Sequence, residues 1–303
     1  AWSASADSTV RCMDVQDGLL YLGGAFHQVD GADRIGIAAV IAADGTLDAW
    51  TAKTLNGTPY TLSVADSGLF IGGDIRGMGG IFRNNIAAFD ATTGLPTNWN
   101  PDADGTVRAI VLNGNTVYVG GDFSHIGGAP RSRLAALKPL NGEAKPWDPG
   151  ADGTVRTMSV AGTELRIGGD FLHVAGLSRQ RLASVYLGGG ALSPWTPEAN
   201  ASVYTMVTSG ARTYIGGDFN LVNGSTRNGV AAVLTSDGAL EAWHPLIMGN
   251  VRAVLPVDTT VFIGGSCYSA AASGYHTLLY ADAATGTLWS AWNLGFQSQD
   301  VIF

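Results

Sequence analysis

The chain has 303 residues, 46% of them hydrophobic and 14% charged, with Lys+Arg 17 against Asp+Glu 25 and a net charge of −8. Its length and apolar content allow a sizeable core, and its acidic balance argues against general nucleic-acid binding and adhesion to anionic lipid, leaving proteins, glycans or small molecules as partners. No apolar run is long enough for membrane insertion, and the chain starts at Ala1 with neither Met nor a signal-type apolar region, as a processed or excised chain would.

Only Lys53, Lys138 and Lys145 are lysines, so nearly all positive charge is the forked, fixed kind that arginine carries. Glycine pairs recur as LGGAF at 22–26, IGGDI at 71–75, VGGDF at 119–123, IGGDF at 167–171, IGGDF at 215–219 and IGGSC at 263–267, spaced by 48 or 49 residues. Trp2, Trp50, Trp99, Trp147, Trp195, Trp243 and Trp292 keep nearly the same spacing, which marks a repeat architecture over the whole chain.

In chain order, the unit cores are 10–50, 58–99, 107–147, 155–195, 203–243 and 251–292. The first carries Arg11, Cys12, Ala25 after its glycine pair, Arg34 and an Asp44-Gly45 turn. The second carries Tyr60, Asp74, Arg83 and a Thr93-Gly94 turn. In the third, TVRAIVL, the turn NGN, TVYVGGDF, a small-residue loop, RLAALKPL, the turn NG and AKPW read as four short strands joined by two tight turns and one longer loop. RLAALKPL alone has helical character, but its equivalents IGIAAVIA, NIAAFDA and GVAAVLT read as strands. The fourth and fifth units repeat the plan with Arg156, Asp170, Arg179 and with Tyr204, Asp218, Arg227. The sixth departs from it, with Arg252, Ser266, Cys267, Tyr275 and an altered loop CYSAAASGYH at 267–276, and QSQDVIF at 297–303 continues as a further strand or a linker.

Four antiparallel strands in under 50 residues, six times over, predict an all-β, six-bladed β-propeller in a single domain spanning residues 1–303. The joint recurrence of GGDF, Arg, LAAL, Trp-x-Pro and GTVRA resembles the delta-60 repeat family of bacterial β-propellers and, more distantly, the ectodomain repeats of fungal cortical-marker proteins. The resemblance covers about the whole chain and implies a propeller of large secreted or surface-attached proteins, without a common chemistry or catalytic residue set.

Three columns bear on function. An arginine follows each aspartate by nine residues, pairing Asp74 with Arg83, Asp122 with Arg131, Asp170 with Arg179 and Asp218 with Arg227. These four pairs read as salt bridges that brace the loop between them, against a ligand or metal role. At the start of the first strand, Arg11, Tyr60, Arg108, Arg156, Tyr204 and Arg252 form a ring near one channel mouth if that strand lines the axis. The ring suits an anion or a carboxylated sugar, unless each arginine instead pairs with a nearby GGDF aspartate. The tryptophans read as seam packing rather than as a sugar platform. The paired glycines admit a close neighbour or a bulge, and with no helix following they do not form a phosphate loop.

DADG at 102–105 reads as Asx-turn chemistry rather than a calcium loop, because no bidentate glutamate follows. His27, His125, His173, His244 and His276 lack zinc spacing, so no metal and no cofactor is expected. Cys12 and Cys267 map to one axial level of the first and last units, which a closed ring makes neighbours, and a disulfide is expected there, against two buried thiols; it implies an oxidising compartment. The expected function is a secreted or cell-surface binding or structural module, non-catalytic, with a protein or glycan ligand on the long-loop face; the alternative is a glycan-active hydrolase or lyase, or a lectin, using that face.

Overall fold

Short β-branched runs cut by Asn-Gly, Asp-Gly and Thr-Gly turns can pair only with near neighbours, and in the computed structural model they do. The structure describes residues 2–53, 55–66, 68–269 and 274–289, and among them the repetitive secondary structure is strand alone. No helix is long and apolar enough to cross a membrane. Trp292, residues 297–303 and residues 270–273 of the altered sixth loop lie outside the described residues.

Each repeat builds one antiparallel sheet around its second strand. In the third repeat, Val107–Leu112 pairs with Val117–Gly121, which pairs with Leu134–Leu137. The first strands of the other repeats are Val10–Gln16, Leu55–Ala65, Val155–Ala161, Val203–Ser209 and Met248–Val257. The fourth segment is held to the third strand by one isolated bridge per repeat, as in Val40 to Leu47, Leu137 to Ala144 and Val233 to Leu240. Pro96, Pro146 and Pro194 fall in three of these segments and cannot donate to a ladder, yet the segments of Leu47, Leu240 and Leu288, which have no proline, keep the same single bridge. The loop after the glycine pair is itself ordered as a miniature hairpin, such as His125–Ile126 against Ala129–Pro130.

The chain divides into two compact units, Ala1–Asp148 and Pro149–Val301, each with three repeats. Within each unit the core lies between consecutive sheets, because a lone repeat cannot bury its apolar face. Tyr21, Ala39 and Trp50 pack with Leu62, Ile71 and Phe89 of the next repeat. Tyr214, Ala232 and Trp243 pack in the same way with Val254, Ile263 and Leu279.

Trp50, Trp99, Trp147, Trp195 and Trp243 are 7%, 3%, 6%, 1% and 1% exposed, which places them in the packing and leaves no face free for a sugar. Each meets a side chain of its own second strand. Tyr21, Phe70, Tyr118 and Tyr214 approach their tryptophans edge to face, with centroids 4.8 to 5.4 Å apart. Arg166 takes that place in the fourth repeat, its guanidinium 4.7 Å over the Trp195 ring. The indole N–H of Trp99, Trp195 and Trp243 donates to the carbonyl of Lys138, Leu234 and Asp282 in the following repeat, at 3.0, 3.0 and 2.9 Å.

The expected Cys12–Cys267 disulfide is corrected: both are free thiols. Each sulfur is turned into the packing around its own sheet. An added Cβ on Gly23 would meet Cys12 Sγ at 2.6 Å, so that sulfur lies directly over the glycine. Cys267 is 1% exposed and its thiol points to the Asn250 carbonyl at 3.9 Å. Burial raises both thiol pKa values, that of Cys267 to about 12, which keeps them protonated and unreactive. The inference of an oxidising compartment from a disulfide falls with it.

Candidate binding site

The glycine pair has two separate tasks. The first glycine receives the next repeat: an added Cβ on Gly72 would meet Val107 Cγ1 at 2.3 Å, and on Gly216 it would meet Val251 Cγ1 at 2.6 Å. The second glycine lies against the backbone of its own first strand, where a Cβ on Gly121 would sit 2.2 Å from the Thr106 carbonyl oxygen. That close approach accompanies a shift of register: Val107 faces Gly121, but Ala109 faces Gly120, so Arg108 is the extra residue of a β-bulge.

The same shift skips Arg11, Tyr60, Arg156, Tyr204 and Arg252. All six residues of the predicted column are therefore bulge residues, the position at which a strand re-aims a side chain. Tyr60 lies between two guanidinium groups of its unit, Arg11 at 5.3 Å and Arg108 at 5.8 Å from the ring centroid. Tyr204 repeats the arrangement with Arg156 at 5.3 Å and Arg252 at 3.9 Å.

The aspartate of GGDF belongs to this bulge. Its N–H donates to the carbonyl before the first strand, from Asp122 to Thr106 and from Asp170 to Thr154, both at 2.8 Å. Its carboxylate then reaches the bulge side chain: Arg108 Nε donates to Asp122 at 2.8 Å, and Arg156 Nη2 lies 2.6 Å from Asp170. Burial alone would raise the Asp170 carboxyl, but hydrogen bonds from Arg156 and Ser202 hold it below its ordinary value. Tyr204 donates its hydroxyl to Asp218, and burial together with that carboxylate raises the phenol, so it stays a neutral donor. Arg11 and Arg252 face Ala25 and Ser266 in that column; among the described residues neither forms an ion pair, and both are exposed.

The four predicted salt bridges, Asp74–Arg83, Asp122–Arg131, Asp170–Arg179 and Asp218–Arg227, are corrected: none is among the ion pairs of the described residues. The nine-residue arginine clamps carbonyls instead. Arg83 donates to Phe82 and Thr97 O at 2.9 Å, Arg131 to Pro130 and Lys145 O at 2.7 Å, and Arg227 to Thr226 and Glu241 O at 2.8 Å. Arg179 donates to Ser178 O at 2.7 Å. In Arg83, Arg131 and Arg227 the second bond ties the loop hairpin to the bridge-held segment 14 residues on. Asp74 lies 3.8 Å from Arg76.

The loops beside the bulges are capped from the preceding connection. Asp104 accepts the N–H of Ser124 and His125 at 2.7 and 2.9 Å, the Ser124 hydroxyl at 2.6 Å, and lies 3.3 Å from His125 Nδ1. The Ser124 hydroxyl also lies 3.0 Å from His125 Nδ1, the same ring nitrogen that faces Asp104, so hydroxyl and imidazole converge on one carboxylate as in a loop cap. Asp152 does the same for Leu172 and His173. Among the described residues no group of His, Cys, Asp and Glu is placed to hold a metal ion.

Burial raises both caps, yet these hydrogen bonds bring Asp104 and Asp152 down to about 2 from 3.8. A depressed carboxylate contributes stability that is complete above its unfolded value and is lost as pH falls through its folded one. Amide-exchange protection at residues 124–125 and 172–173 should therefore fall between about pH 4 and 2. Asn200 caps Asn220 and Leu221 at 3.0 Å without a titrating group, so protection at 220–221 should not show that step.

A family described as a domain of unknown function (DUF5122) beta-propeller matches residues 115–143. The crystal structure of the computationally designed Ika8 protein superposes with a TM-score of 0.57 at 12% identity, covering 94% of this chain and 87% of that one. The Neurospora crassa Pan2 WD40 domain gives a TM-score of 0.51 at 13% identity, covering 78% of this chain and 65% of that one. No curated protein matches the sequence. These likenesses support a β-propeller fold and, at such identities, speak to the fold alone.

Proposed function

We propose that the chain is a non-catalytic interaction module in which each unit makes its own contacts with an anionic ligand through bulge residues, Arg11, Tyr60 and Arg108 in one and Arg156, Tyr204 and Arg252 in the other. One observation carries the reading: Arg108 and Arg156 are neutralised by Asp122 and Asp170, whereas Arg11 and Arg252 stack on the same tyrosines with no carboxylate of their own. A guanidinium fixed by ring stacking and left with free donors suits a carboxylate or sulfate, as on an acidic sugar. Each repeat is read as one blade, six in all, with the bridge-held segment as its fourth strand. The likeness of the repeats to those of secreted and surface proteins supports an extracellular setting, which fractionation of the native source tests.

A glycan array with uronic, sialylated and sulfated members tests the ligand. Arg11→Ala together with Arg252→Ala should lower affinity for an anionic hit about tenfold or more, and the interaction should weaken with salt. An undiminished affinity in that double variant overturns the assignment.

A further inference from the structure

Where a repeat carries both the aspartate and the bulge arginine, a carboxylate meets the guanidinium in a fixed frame, and the fourth repeat shows it in full. The Asp170 N–H donates to Thr154 O at 2.8 Å, and its carboxylate accepts from Arg156 Nε at 2.9 Å through both oxygens and lies 2.6 Å from Nη2. The Ser202 hydroxyl of the next repeat donates to the same carboxylate, and the Tyr204 ring of that repeat lies 5.3 Å from the guanidinium carbon. The carboxylate therefore takes the edge of the guanidinium while the ring takes its face.

The first repeat has this frame with the carboxylate missing. Ala25 stands in the aspartate column, and its N–H donates to Thr9 O at 2.8 Å, as that of Asp170 does to Thr154 O. The Gly24 N–H donates to Gly36 O at 3.0 Å, as that of Gly169 does to Arg181 O at 3.0 Å. Arg11 is the residue skipped by the bulge, and its guanidinium lies 5.3 Å over Tyr60 of the next repeat, the distance found for Arg156 and Tyr204. Thr58 precedes Tyr60 by two residues, as Ser202 precedes Tyr204, and so puts a hydroxyl in the same column. Ala25 is half-buried and Arg11 exposed, so the position is open to solvent. Among the described residues no carboxylate forms an ion pair with Arg11. The sixth repeat does not keep this frame, because Ser266 continues in the ladder opposite Asn250 and pairing runs on to Met248 and Tyr268.

We propose that the carboxylate of an acidic sugar takes the place of the missing aspartate at Ala25, accepting from the Nε and Nη2 edge of Arg11 and from the Thr58 hydroxyl. This seat belongs to the site of the proposed function, on which it rests, and narrows it in two ways. Ala25 becomes the residue that opens the site, since an aspartate there would fill it from within as Asp170 fills the fourth repeat. The seat also selects carboxylate over sulfate ester. A carboxylate is planar and carries its charge on two oxygens, both of which meet the guanidinium edge in the fourth repeat; a sulfate ester spreads its charge over three, one of which must leave that plane.

The test follows the Arg11 Nε–H resonance by nitrogen-15 NMR on the full chain, assigned through its own backbone, during titration with glucuronate, its methyl ester and glucose 6-sulfate. Glucuronate should shift it saturably, the neutral ester should not, and the sulfate should need about threefold or more higher concentration for the same effect. Ala25→Asp should weaken the glucuronate response about tenfold or more, while Ala25→Asn, equal in size but uncharged, should weaken it far less. The thermal midpoint of Ala25→Asp should not fall, because Asp74, Asp122, Asp170 and Asp218 stand at that position in other repeats. A sulfate response as strong as that of glucuronate, silence of Arg11 while Arg252 responds, or an Ala25→Asp variant that binds as well as Ala25→Asn overturns the proposal and leaves the wider reading standing. A methyl ester that acts as glucuronate does, or silence of both arginines toward both anions, overturns the wider reading as well. The comparison of the three sugars needs only the unmodified protein, so it decides even if a variant fails to fold.

Discussion

Gly169→Ala should destabilise the protein by about 3 kcal/mol, near the top of the range for overpacking. An added Cβ would lie 2.0 Å from the Thr154 carbonyl oxygen and 3.1 Å from the Arg156 nitrogen, and both are backbone atoms. No rotamer change can clear them; the first strand itself must move away. Doing so undoes the bulge, and with it the donation from Asp170 N–H to Thr154 O and the approach of Arg156 to the Asp170 carboxylate. Gly188→Ala is the control, because its Cβ would meet nothing within 4 Å. There the lost freedom of the unfolded chain makes the change neutral or stabilising by up to ~0.5 kcal/mol. Urea midpoints of the two variants should move in opposite directions or by very different amounts; equal shifts would sink the account of the second glycine as a backbone contact.

That argument also shows what was legible in the sequence. The repeat, the sheets and the glycine pair follow from spacing and turn chemistry, since alternation and Asn-Gly or Asp-Gly turns leave few pairings open. Sequence offset misleads for the nine-residue arginine, whereas the alternative pairing of first-strand arginines with GGDF aspartates holds for Arg108 with Asp122 and Arg156 with Asp170. Across the first hairpin Asp122 lies beside the first strand, and a bulge at Arg108 brings the charges together; the nine-residue arginine faces carbonyls that carry no sequence signature. The cysteines illustrate the same limit, because a shared level along two strands says nothing of which way each sulfur turns. Two-residue loop strands are too short to have a period. Trp50 has no signal of its own in Asp48, which stands two residues before it where other repeats have Thr97, Lys145, Ser193 and Glu241. Only side-chain placement shows that its indole N–H lacks an acceptor.

Trp195→Ala should cost about 4 to 5 kcal/mol, the largest effect expected of any single ring. The side chain is 1% exposed, packs with Leu182, Met206 and Ile215, and its indole N–H donates to Leu234 O at 3.0 Å. Its removal also takes away the surface beneath Arg166, which is 2% exposed and donates to the Thr213 hydroxyl and the Thr235 carbonyl. Burial lowers the pKa of that guanidinium, the mark of a charge that the surroundings only partly replace water for. Arg166 stands where other repeats have Tyr21, Phe70, Tyr118 and Tyr214, so Arg166→Tyr would exchange one ring contact for another, whereas Arg166→Leu removes it. A double-mutant cycle separates the two roles of the tryptophan. If the guanidinium depends on the ring, Trp195→Ala with Arg166→Leu should cost about 1 to 2 kcal/mol less than the sum of the single changes, the size of a desolvated cation–π contact. Strict additivity would mean that Arg166 is held by Thr213 and Thr235 alone, and that the ring beneath it serves only the seam between repeats.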